Sequence, residues 1–209
     1  MSDVKYNDAK HCLLSAAAKL FSKLGLAKTS TRDLARESKA NISLISYHFG
    51  GKEGLYKEVL KEFALEIQKN MQPRFEEFQK NEMTKDFFVK EISHIVESMI
   101  AMRQKHPEIC QIMAREKANG MPLMKDIHEE IFYPLGKRFM MLFEKAQEKK
   151  IVRPDIHSGL FFLCMTEGLF GFYEMLACNV NMEKDCAQFN DPELLKKQIL
   201  NIYLNGALL

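Results

Sequence analysis

Apolar residues at Leu13, Ala17, Leu20, Phe21 and Leu24 recur at i, i+4, i+7, i+8 and i+11, which predicts an amphipathic helix over about 8 to 24, stopped by Gly25. Ser30 with Asp33 three residues on has the form of a capping box and starts a short helix over about 31 to 38. Lys39-Ala40 form a tight turn, Asn41 is a good N-cap, and a third helix follows over about 42 to 48. Gly50-Gly51 break the chain before a long helix that begins near Lys52. Further helices are predicted at about 84–106, 107–118, 122–150, 155–179 and 192–207. Pro107, Pro122, Pro154 and Pro192 lie near proposed helix starts, where a missing N–H costs little, whereas Pro73 and Pro134 should kink or break the helices around them. No stretch alternates as a half-buried strand does, so the fold class is all-α: an N-terminal three-helix helix-turn-helix domain (1–51) and a C-terminal helical domain (52–209).

Within TRDLARESKANISLISYHF (31–49), Leu34, Ala35, Ala40, Ile45 and Phe49 are expected to face inward. Three short helices bury too little surface to serve only as a core, so the outer face of the third, with Ser43, Leu44, Ser46 and Tyr47, is expected to be functional. Charge agrees with that reading. The chain carries 30 Lys/Arg against 28 Asp/Glu, a formal +2, but residues 1 to 56 hold nine basic and five acidic residues, which is +4. A basic head on a slightly acidic body suits a polyanion.

The segment 13–56, ending in SYHFGGKEGLY, resembles the DNA-binding domain of the TetR family of transcriptional regulators. REKANGMPLMKDIHEEIFYPL (115–135) is similar to the CecR-like subgroup. The resemblance implies that Ser43, Leu44 and Tyr47 meet bases or sugars in the major groove while Thr31, His48 and Lys52 hold phosphates. Thr31 and Lys52 each stand at a helix N-terminus, which favours an anion. Arg32 is the guanidinium placed to reach a guanine edge. Lys39 stands where many relatives have a left-handed glycine, a strain on the order of 1 kcal/mol.

GLFFLCMTEGLFGFYEML (159–176) is too apolar for a surface helix and must be covered on most sides. Gly168 and Gly171 would admit a second helix, and the last helix offers Leu195, Ile199, Ile202 and Gly206. The resemblance implies that these two helices form the seam of a homodimer, as two DNA half-sites require. Thirteen methionines and fifteen phenylalanines give the body a deformable interior. Met99, Met102, Met113, Phe139 and Met165, with the polar His128 and Glu167, are candidate lining for a small apolar or amphipathic effector, with ordinary core packing the alternative for each apolar residue and an internal partner or the dimer seam the alternative for Glu167; His94 and Tyr133 are secondary polar candidates. The expected partners are thus an operator duplex, an effector and a second copy of the chain.

Other classes find little support. Six histidines show no metal-ligand spacing, and no phosphate loop or nucleophile motif occurs, so no catalytic residue, metal or cofactor is expected. Five scattered cysteines without a C-x-x-C pair read mostly as buried thiols. Met1–Tyr6 carries no apolar leader and no run reaches about 18 uncharged residues, which suggests a cytoplasmic protein without a membrane span. A helix-turn-helix that has exchanged DNA for protein contacts is the alternative, and electrophoretic shift separates the two.

Overall fold

The computed structural model describes residues 2–209, with side chains from residue 9 onward. Met1, the first residue of the stretch read as leaderless, lies outside the described residues. Helices follow one another in the order α1 (Ser2–Lys28), α2 (Thr31–Ser38), α3 (Ser43–Phe49), α4 (Lys52–Lys80), α5 (Lys85–Lys105), α6 (Pro107–Ala118), α7 (Lys125–Ile127), a π turn (His128–Phe132), α8 (Tyr133–Glu148), α9 (Ser158–Cys178), α10 (Val180–Asp185), a 3-10 turn (Ala187–Asn190) and α11 (Pro192–Ala207). Among the described residues the only β pairing is an isolated antiparallel bridge between Val152 and Leu208.

The compact units do not divide at the expected boundary between residues 51 and 52. One unit comprises the chain up to Asn70 together with His106–Phe132; the other comprises Met71–Lys105 together with Tyr133–Leu209. In the first, α6 packs along α1, and the core holds Leu13, Ala17, Phe21, Leu34, Ile45, Leu55, Tyr56, Val59, Leu60 and Ile112, with Met124, Ile127 and Ile131 also buried. Leu24, expected on the inner stripe, is 46% exposed. Gly25, at φ 76° and ψ 168°, breaks the helical phase just after it. In the second unit α5, α8, α9 and α11 close around Phe88, Ile92, Val96, Phe139, Phe143, Phe161, Met165, Leu195 and Ile199.

Two proline expectations resolve differently. Pro73 sits inside α4 without ending it. Pro134 cannot donate the N–H of a regular helical turn, and the turn immediately before its helix is widened to π geometry. The expected helix from 122 starts later, because Gly120 (φ 79°) and Met121 (φ 58°) are left-handed and hold the chain in a turn. The short elements between Val180 and Asn190 were not expected. Of the five thiols only Cys110 is buried; Cys186 is half-buried, and Cys12, Cys164 and Cys178 face solvent, contrary to expectation.

Candidate nucleic-acid interface

The start of α2 is fixed by the capping box read from the sequence. The Ser30 hydroxyl oxygen accepts from Asp33 N (3.1 Å), and an Asp33 oxygen accepts from Ser30 N (3.3 Å) and from the Ser30 hydroxyl (2.6 Å). Those bonds, ahead of the Arg36 guanidinium beside it, hold the Asp33 carboxyl below the usual carboxylate range. Lys39 adopts the left-handed conformation (φ 55°, ψ 24°) that its glycine-like position demands, so the turn keeps its form with a lysine in it. Asn41 Oδ1 accepts from Ser43 N (3.0 Å) and from the Ser43 hydroxyl (2.9 Å), which secures the first turn of α3.

α3 then presents two faces. Ile45 is fully buried and Phe49 half-buried beneath it, whereas Ser43, Ser46 and Tyr47 point outward, Tyr47 at 73% exposure. Leu44 and His48 are half-buried at the edges, and the His48 ring meets Tyr47 edge-on at 5.2 Å. Arg32 is exposed and Thr31 half-buried in the first turn of α2. Ile42, 44% exposed beside the same face, escaped the sequence reading because an apolar residue next to a cap reads as core.

Lys52 requires a correction. Its ammonium donates to the carbonyls of Leu26 (2.7 Å) and Thr29 (2.8 Å), so two of its three donors are committed inside the protein. It closes the turn between α1 and α2, where carbonyls at a helix end attract a cation. Thr29 joins the same turn, its hydroxyl donating to Gly25 O at 2.7 Å. Gly50 ends α3 in the left-handed conformation, with its N–H on Ser46 O at 3.0 Å. Gly54 has a steric reason: a Cβ there would lie 1.7 Å from the Phe49 carbonyl oxygen, so only glycine lets the first turn of α4 pass so close.

The residues proposed to line an effector pocket do not share one unit. Met113 and His128 belong to the unit that contains the helix-turn-helix, and Met99, Met102, Phe139 and Met165 to the other. Phe139 and Met165 are buried in the core there. Glu167 is exposed on α9, so it is no interior anchor. The carboxylate that is buried in that unit is Glu91 on α5, at 4% exposure. No hydrogen bond reaches its Oε1, which faces His94 Nδ1 at 3.8 Å. Burial pushes the Glu91 carboxyl above its ordinary range, against the opposing pull of Arg74. Nothing marks it in sequence but its helical phase.

The expected dimer residues also separate. Leu195 and Ile199 are buried within their own subunit. Gly168 faces Tyr203 of the same chain, whose hydroxyl donates to Cys164 O at 2.7 Å; a Cβ on Gly168 would stand 2.8 Å from that hydroxyl. A Cβ on Gly171 or Gly206 would point into open space. Ile202 (66%), Leu160 (61%), Leu163 (56%) and Met175 (52%) are apolar and exposed on α11 and α9. By length and composition alone α9 is apolar enough to cross a membrane, with Glu167 and Glu174 among its exposed residues.

Residues 13–59 match the family model described as bacterial regulatory proteins, tetR family. Among curated proteins the chain is 21% identical to the probable HTH-type transcriptional regulator YttP of Bacillus subtilis over 68% of its own length and 66% of that protein's. It is 27% identical to the HTH-type transcriptional dual regulator CecR of Shigella flexneri, over 66% of its length and 65% of CecR's. It thus spans just under two thirds of each curated relative. Among solved structures, the transcriptional regulator FadR of Bacillus subtilis in complex with stearoyl-CoA superposes with a TM-score of 0.68 at 13% identity, covering 94% of this chain and 98% of that one. Residues 13–59 thus carry the helix-turn-helix of the tetR family of bacterial regulatory proteins, and the chain shares its fold with solved transcriptional regulators.

Proposed function

We propose that the protein is a ligand-released transcriptional repressor that acts as a homodimer on a pseudo-palindromic operator. The observation that carries the DNA reading is the outer face of α3, where a large aromatic ring, Tyr47, is displayed beside two exposed serines on a helix whose inner side is anchored by fully buried Ile45. A solvent-exposed aromatic contributes little to folding, whereas at this position it reaches the floor of a major groove. Ser43, Ser46, Tyr47 and Leu44 read bases or thymine methyls, Arg32 a guanine edge, and Thr31 and His48 hold phosphates. Lys52 acts from inside the head.

The second copy is supplied by the exposed side of α9 with Ile202 of α11, an apolar surface that water covers poorly. A DNA-bound regulator of this kind works in the cytoplasm, and its relatives are named as regulators rather than enzymes. The effector is apolar or amphipathic, in keeping with the Phe- and Met-rich interior around Met99, Phe139, Phe161 and Met165 and with a stearoyl-CoA complex among its structural neighbours. Selection of bound fragments from genomic DNA tests the reading. A native chain should enrich an inverted repeat, and Tyr47→Ala should change the enriched sequence; failure of the native chain to enrich any sequence would refute it.

A further inference from the structure

The segment REKANGMPLM (115–124) has its chemistry inside the head. The Arg115 guanidinium donates to Phe21 O (2.7 Å) and Ser22 O (2.8 Å), in the last helical turn of α1 before the break at Gly25. It passes so close to Gly25 that a Cβ there would lie 3.4 Å from it. Its neighbour Glu116 is buried at 5% exposure, and both oxygens are used: Oε1 accepts from the Tyr56 hydroxyl of α4 (2.9 Å) and Oε2 from Leu123 N (3.0 Å). Tyr56 in turn meets Phe21 edge-on at 5.1 Å. Carbonyls near a helix C-terminus carry partial negative charge, and a forked guanidinium satisfies two of them at fixed geometry. Arg115 grips α1 just before the turn from which α2 departs, and Lys52 holds the far side of that turn.

We propose that Arg115 and Glu116 are positioning residues for DNA binding: Arg115 ties α6 to the last turn of α1 before Gly25 and Glu116 ties it to Tyr56 of α4, so operator affinity depends on two side chains that touch no DNA. The proposal rests on the DNA reading above. The tie acts on pitch, because α1 packs against both α2 and α3. Once the guanidinium is lost, the turn at Gly25 and Thr29 is held from the Lys52 side alone, and α2 and α3 sample orientations that miss the groove.

Full-length Arg115→Gln, Arg115→Lys and the control Lys125→Gln, an exposed cation on α7, separate the possibilities. Two measurements are made on each: operator titration across a series of salt concentrations, and amide exchange of residues 26–38 in the DNA-free protein. Arg115→Gln should weaken operator binding roughly tenfold or more, with an unchanged salt slope and faster exchange. Arg115→Lys should recover part of both losses, since a point charge serves two carbonyls less well than a fork does. Three results overturn the proposal: unchanged exchange in Arg115→Gln, a salt slope reduced by about 0.9 per head as for a lost phosphate contact, or an equal loss in Lys125→Gln. A native chain that binds operator no better than Arg115→Gln overturns this proposal alone. A native chain that selects no DNA removes the underlying reading and this proposal with it.

Discussion

Replacing Lys52 by Met keeps the aliphatic stem and removes only the ammonium, so it isolates the two bonds to Leu26 O and Thr29 O. Hydrogen bonds to a charged group contribute about 1.5–3 kcal/mol each where they are shielded from water. Lys52 is half-buried, and carbonyls left at a turn can recruit solvent, so we expect a net loss of about 1–3 kcal/mol for the pair. For a chain of this size that corresponds to a fall in Tm of roughly 2–12 °C. If the same ammonium instead held a phosphate, the salt slope of operator binding would drop by about 0.9 per head, or about 1.8 per dimer, and stability would hardly change. Thermal unfolding and salt-dependent titration of Lys52→Met therefore give opposite answers. Lys52→Arg is the control, because a guanidinium can still reach both carbonyls and should restore most of the Tm. An unaltered Tm combined with a slope reduced by about 1.8 would refute the internal role.

Ile202→Glu and Leu163→Glu, both on exposed apolar positions, should give monomers by sedimentation while the subunit stays folded; a persistent dimer in both would place the seam elsewhere. Glu91→Gln tests the buried carboxylate by its pH dependence. The folded carboxyl titrates above its unfolded value of about 4.3, so its contribution is fully present below that value and is lost as pH rises through the folded one. The Tm advantage of Glu91→Gln over the native chain should therefore grow between pH 4 and pH 7, and a constant difference would refute it.

Local chemistry was legible in the sequence, and long-range packing was not. Ser30, Asp33, Asn41 and Gly50 announce their roles because a cap or turn involves residues at most four apart. The limits of α6 and α11 followed from Pro107 and Pro192 at their starts. Arg115 and Glu116 carry no local signal, since the partners on α1 and α4 lie 93, 94 and 60 residues away and leave no periodic trace. In α9, apolar around much of its circumference, periodicity does not tell the buried side of Met165 and Leu169 from the exposed side of Leu160, Leu163 and Glu167. In α11, Ile202 shares the helical phase of Leu195 and Ile199 yet is exposed while they are buried, so phase alone does not give burial there.

The tie between α6 and the first helix bears on how this protein can be cut and recombined. The unit that holds its helix-turn-helix is assembled from two separate lengths of chain, the second being His106–Phe132. A fragment ending at Asn70 would expose the flank of α1 that α6 covers and deprive Tyr56 of its carboxylate acceptor. A chimera that exchanges operator preference between two such regulators should therefore carry 106–132 along with the N-terminal helices, because the heritable module is discontinuous in sequence although single in space.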